Sequence, residues 1–206
     1  MATLKRKART GVKRTVVAGR KPNAAYRTRE HLTEAEIERL MKAARRNRYG
    51  HRDATMILVT FSHGLRASEI CGLEWSQFHL TRGTLRVNRA KDGAAASHPI
   101  RTRELRDLKR LQRDQQEPAG RYVFVSERGV PFTVSGFRRM VQRAGVAADM
   151  PFQIHPHMLR HSTGYKLAND GQDTRAIQDY LGHQSIESTV RYTKLAPGRF
   201  KGFWWD

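Results

Sequence analysis

The sequence predicts a mainly helical domain that carries a small antiparallel β-sheet, an α+β arrangement. Three observations point there. Apolar residues recur at helical spacing along the chain, with Ile37, Leu40 and Met41 forming one stripe and Phe137, Met140 and Val141 another. Residues 84–88 (TLRVN) alternate as a strand does, and residues 97–101 can return as the partner. Between them lies RAKDGAAA, with Asp92-Gly93 as the bend and Lys91 near its tip.

The elements follow in order. Thr33 and Glu36 make a capping box that opens a helix running to about residue 47. Residues 54–62 (ATMILVTFS) form a more apolar helix, read as buried, and Gly64 ends it. In GLRASEICGLEW, residues 67–73 form a short helix with Arg66 at its mouth. Residues 102–116 read as a charged helix with Leu105, Leu108 and Leu111 on one side. A short strand over 122–126 and a turn at Arg128-Gly129 lead to a helix capped by Thr133 and ending near residue 144. In HMLRH, His157 and Arg160 are three apart and so share a helix face. Gly182 punctuates the next helix after Leu181 and presents His183 at its end; Tyr192 follows about two helical turns on.

Composition narrows the target. The chain has 206 residues and a formal charge of +20, from 39 Lys+Arg against 19 Asp+Glu. That length suits one domain with extensions, and that charge favours a polyanion, nucleic acid first. A ribosomal or nucleoid-type protein, basic throughout, is the plainer reading. No apolar run approaches about 18 residues, so no membrane partner is expected. The start, MATLKRKART, lacks the apolar core of a secretory signal. Cys71 is the single cysteine, which suits a reducing cytosol and leaves no internal disulfide framework.

Three segments are expected. Residues 1–30 form a basic flexible arm, since 1–29 hold ten basic residues and no acidic one. Residues 31–193 form the folded domain, and 194–206 an aromatic tail with Phe200, Phe203, Trp204 and Trp205. The arm either orders on a phosphate backbone or stays a solvated source of non-specific affinity. The tail either docks on a neighbouring protomer or folds back onto its own core.

Reactive side chains concentrate between residues 154 and 193. Imidazole, guanidinium and phenol together suit a phosphodiester, the charged groups holding the phosphate and the phenol able to attack it. Plainer readings stand beside this one. Tyr192 can be a buried aromatic with a satisfied hydroxyl, and Arg66 and Arg160 can be ion pairs to Glu69 or Asp179. His155, His157, His161 and His183 can in principle bind zinc, but no cysteine is near and Arg160 between them repels a cation. No metal is expected, and His155 or His161 is assigned to the fold, by capping or hydrogen bonding.

GLRASE, the hairpin lysine, HMLRH, LGH and the terminal tyrosine, in that order, resemble the catalytic domain of the tyrosine recombinases (the phage integrase family) over roughly residues 32–193. Within it, IHPHMLRHS and the ending GRF-KGFWW resemble the small recombinases that invert fimbrial promoter switches and lack the usual amino-terminal DNA-clamping domain. The resemblance implies that Tyr192 is the nucleophile, giving a 3′-phosphotyrosyl bond and a free 5′-hydroxyl. It implies that Arg66 and Arg160 hold the non-bridging oxygens and Lys91 is the general acid for the departing 5′-oxygen. His157 would manage protons around Tyr192, His183 would donate to a phosphate oxygen, and Glu69 would orient Arg66. It further implies no cofactor, double-stranded DNA as partner, four protomers on paired sites with accessory DNA-bending proteins, and a cytoplasmic, nucleoid-associated location. Type IB topoisomerase activity and a DNA-binding regulator without catalysis remain as alternatives, and inversion, excision and integration are all open.

Overall fold

The computed structural model describes residues 29–89, 95–115 and 120–194. The basic arm, the hairpin tip with Lys91 and the aromatic tail from residue 195 lie outside the described residues. Within them, eight α-helices and a three-stranded antiparallel sheet pack around a main apolar core, with a second, smaller cluster of Ala168, Ile177, Leu181 and Tyr192. None of these helices is long and apolar enough to cross a membrane.

Helix α1 (Glu34–Ala44) opens on the expected capping box, Thr33 accepting from the Glu36 amide while Glu36 accepts from the Thr33 amide. Helix α2 (Gly50–His63) starts four residues earlier than its apolar run implies and is the central rod, packed against α1. Its other flanks meet α4 (Thr102–Asp114) and α6 (Pro156–Asn169). Helix α5 (Val134–Ala147), capped by Thr133, buries Phe137, Met140 and Val141 against α1. Met56, Ile57 and Val59 of α2 meet these side chains in a single apolar cluster.

The sheet runs β1 (Phe78–His79), β2 (Thr84–Val87), β3 (Ala96–Pro99), with Leu85 opposite His98 and Val87 opposite Ala96. The strand pair is where the alternation puts it, shifted by a residue; β1 is too short to read from pattern. Residues 122–126 form no regular strand: Tyr122 bridges Glu74 and Val125 bridges Pro131, one residue each. Helix α4 also departs from expectation. Its inward face holds Glu104, Asp107, Leu108 and Leu111, with Leu105 only half-buried. The reason is polar pairing: Glu104 bonds His63 at 2.6 Å and Asp107 bonds Arg45 at 3.3 Å, so two acidic side chains turn inward.

What positions the site is the meeting of two helix ends. Gly64 caps α2 at φ +57°, and Gly182 caps α7 (Thr174–Leu181) at φ +63°. A Cβ on Gly64 would sit 2.3 Å from Leu181 Cδ2, so the two C-termini touch only because that side chain is absent. We expect Gly64→Ala to lose roughly 1–2 kcal/mol from the left-handed backbone alone. The clash with Leu181 adds to it, and a urea unfolding curve reads the sum. An unchanged midpoint would contradict this account of the junction.

Candidate active site

A helix C-terminus leaves its last carbonyls without intrahelical partners. Here those of α2 and α7 face each other, and arginine side chains fill the space between. Arg160, on α6 and 2% exposed, donates to Gly64 O at 2.5 Å and to Leu181 O at 2.7 Å. Arg66, at the N-cap of α3 (Ala67–Cys71), donates to Gly182 O at 3.1 Å. Arg89, just past β2, donates to His63 O and to Tyr180 O. The negative ends of two helix dipoles thus face three guanidiniums.

Glu69 is the carboxylate in this group. It accepts from the Arg66 amide at 2.8 Å, from Arg66 Nη1 at 2.7 Å and from Arg89 Nη1 at 3.1 Å. The expected orienting contact of Glu69 on Arg66 is therefore present, from one turn along α3. Burial, reinforced by the charges of Arg66 and Arg89, pulls Arg160 down to about 10, which leaves it cationic at neutral pH.

His183 follows the Gly182 turn and its Nδ1 lies 2.8 Å from Thr189 Oγ1. Burial first, then Arg160, Arg66 and Arg89, push its imidazole down to about 4, so it is neutral. His183 directly follows Gly182, whose carbonyl Arg66 binds, which places it beside the arginines. His157 is exposed near the start of α6, one turn before Arg160.

Tyr192, on α8 (Glu187–Lys194), is 1% exposed and packs edge-on against Tyr165. Its ring occupies the room left by Gly164, where a Cβ would come within 2.5 Å of Cε2. Its hydroxyl lies 2.8 Å from His161 Nδ1. Burial drives the phenol up to about 12 against the pull of Arg160 and Arg191, and burial drives His161 down to about 3. A protonated phenol is therefore paired with a neutral imidazole.

Arg66, Glu69, Arg160 and His183 thus form one group, with Tyr192 beside it but turned inward. In this arrangement the phenol bonds His161, and the ring of His157 meets that of His161 edge-on at 4.3 Å. His161 does hydrogen-bond, as its fold role implied, but to the proposed nucleophile itself. Arg160 bonds main-chain carbonyls rather than Asp179. Arg89 was missed, although Leu85, Val87 and Arg89 fall on one strand face and an arginine in that inward register was a readable sign. The spacing of His161 from His157, four residues, also put it on the same helix face.

This fold and this arginine–histidine–tyrosine set define a class, the tyrosine site-specific recombinases. The profile of the phage integrase family matches residues 30–199, and the chain belongs to that family and is an enzyme of that class. Type 1 fimbriae regulatory protein FimB of Escherichia coli (strain K12) is 41% identical over 187 residues, covering 89% of this chain and 94% of FimB. Tyrosine recombinase XerC of Bacillus pumilus (strain SAFR-032) is 32% identical, covering 71% of this chain but 50% of XerC. The crystal structure of XerA recombinase superposes with a TM-score of 0.71 at 28% identity, over 84% of this chain and 63% of that one.

The depressed histidines fix a pH dependence. His98, His161 and His183 sit near 3, 3 and 4 in the fold against 6.5 when free. Below about pH 6.5 the unfolded chain therefore binds protons that the fold refuses, and stability falls with pH until about 4 for His183 and about 3 for His98 and His161. Each histidine contributes a slope of at most about 1.4 kcal/mol per pH unit in that window. Urea unfolding at pH 7.5, 5.5 and 4.5 should show the fall, and His161→Gln should make it shallower. Equal slopes for variant and parent would refute the assignment for His161.

Proposed function

We propose that this enzyme cuts and rejoins duplex DNA at specific sites, with Tyr192 forming a 3′-phosphotyrosyl ester. The observation that carries this reading is the gathering of Arg66, Arg160 and His183 on one corner, beside the tyrosine. Attack by the phenolate oxygen forms the new O–P bond as the bond to the 5′-oxygen breaks. Once Tyr192 has left its bond to His161, its proton passes to His157, and Lys91 supplies one to the leaving 5′-oxygen. Arg66 and Arg160 neutralise the charge that builds on the non-bridging oxygens, each worth about 3–4 kcal/mol. With Thr189 donating to Nδ1, His183 keeps its proton on Nε2 and gives it to a phosphate oxygen. Glu69 holds Arg66 in line, and His157 lies at the exposed edge where proton exchange with water occurs. Reversal of the same steps by a partner strand's 5′-hydroxyl reseals the DNA without metal or nucleotide.

Tyr192 first has to leave the slot against Gly164, exchanging its bond to His161. The charge of +20 supports a duplex partner. Several solved structures of similar fold are DNA complexes, λ integrase on a core site among them. Residues 31–193 would be the catalytic domain, with 1–30 as a basic arm along the backbone and 194–206 docking on a neighbour. Four protomers on two sites, assisted by accessory DNA-bending proteins, would act in the cytoplasm on the nucleoid. The identity to a type 1 fimbriae regulatory protein supports inversion of a DNA segment over excision or integration.

Sequencing the DNA beside the encoding gene for inverted repeats supplies the test substrate. A nicked suicide duplex of that repeat should trap a covalent adduct, which Tyr192→Phe abolishes while gel-shift affinity stays within about threefold. Arg66→Ala and Arg160→Ala should each slow trapping at least about a hundredfold. Arg160→Lys should do nearly as badly, because an ammonium cannot span two carbonyls at once. An adduct that survives Tyr192→Phe would refute the mechanism. Relaxation of a plasmid without paired sites, with no exchange on paired ones, would favour a topoisomerase.

A further inference from the structure

Arg89 is the third guanidinium of the corner, and no step above uses it. Its side chain has no exposure at all, and both its Nη atoms are bonded within the protein. It reaches three elements from one fork: Glu69 on α3, His63 O at the end of α2, and Tyr180 O at the end of α7. Its aliphatic stem packs on Gly182, where a Cβ would come within 2.6 Å of Cγ. Its Nε has no hydrogen-bond partner, an uncommon state for a buried guanidinium.

Behind it stands a buried polar cluster that fixes those acceptors. His63 bonds Glu104 Oε1 at 2.6 Å, and its Nδ1 lies 3.2 Å from His98 Nδ1. His98 stacks on Tyr180 at 3.9 Å, and the Tyr180 hydroxyl donates to Ser62 O at 2.8 Å. Such a cluster is costly to bury, and its cost is offset only if its members are held in one geometry. The guanidinium at its front is pinned by it.

We propose that Arg89 is a positioning residue for DNA cleavage: it fixes Glu69, and through Glu69 the phosphate-binding Arg66, against the Tyr180–Gly182 turn that presents His183. Glu69 has two oxygens. One takes the Arg66 guanidinium; the other takes both the Arg66 amide and Arg89. Remove Arg89, and one Glu69 oxygen loses one of its two donors, loosening the Arg66 fork against the turn whose carbonyl it also binds. A 1 Å error in such a group is enough to cost about a hundredfold in rate. The inference rests on the recombinase mechanism above and adds to it a residue that acts through Glu69.

The test compares adduct formation by the full chain on two nicked duplexes of the flanking repeat. One has an ordinary scissile phosphodiester; the other has a methylphosphonate there, a neutral ester with one charge fewer to stabilise. Arg89→Met should slow trapping on the phosphodiester about a hundredfold with gel-shift affinity within about threefold. On the methylphosphonate the deficit should shrink below about tenfold, because the charge that Arg66 neutralises is gone. In an Arg66→Ala background, Arg89→Met should add little further loss. Should Arg89→Met fail to fold, Arg89→Lys keeps the charge but not the three-way fork, and carries the same comparison. Full-speed trapping by these variants would overturn the proposal, as would equal slowing on both esters. No adduct from the parent enzyme would instead overturn the chemistry assigned to Tyr192.

Discussion

Everything in this site depends on the mutual approach of two helix C-termini. Alone, each is an unfavourable thing to bury, because its terminal carbonyls lack partners and its dipole end is negative. Brought together, α2 and α7 form a pocket of oxygens in which three guanidiniums are stable. The arginines repel one another, as the lowering of Arg160 by Arg66 and Arg89 registers. The carbonyls of His63, Gly64, Tyr180, Leu181 and Gly182, with Glu69, offset part of that repulsion. A positive centre able to meet a phosphate is therefore assembled before any phosphate arrives. Preorganisation of this kind is the larger part of electrostatic catalysis.

The sequence made much of this legible, for identifiable reasons. Thr33–Glu36, Gly64 and Gly182 are local signals, in which side-chain chemistry or a left-handed backbone decides the structure within a few residues. The Arg66–Glu69 contact was readable too, as it closes within one helical turn. Arg160 was identifiable as important but its partners were not, because they lie 96 and 21 residues away in the chain. Main-chain carbonyls also carry no sequence signature.

The misreadings are equally physical. The inward face of α4 was taken from its leucines, whereas Glu104 and Asp107 are drawn inside by His63 and Arg45. A buried acidic side chain reads as surface until its partner is known. His157 and His161 share a helix face, and only the packing of α8 on α6 decides which meets the phenol in this arrangement. Arg89 looked like one more charge in a chain with 39 basic residues, and composition hid what strand register could have revealed.

The glycine at position 164 has a consequence of another kind. The phenol lies flat on bare backbone and bonds an imidazole, so its oxygen is turned away from the corner that the guanidiniums line. The smallest possible side chain at this point is what lets α8 lie so close on α6, since a single added carbon would meet the ring at 2.5 Å.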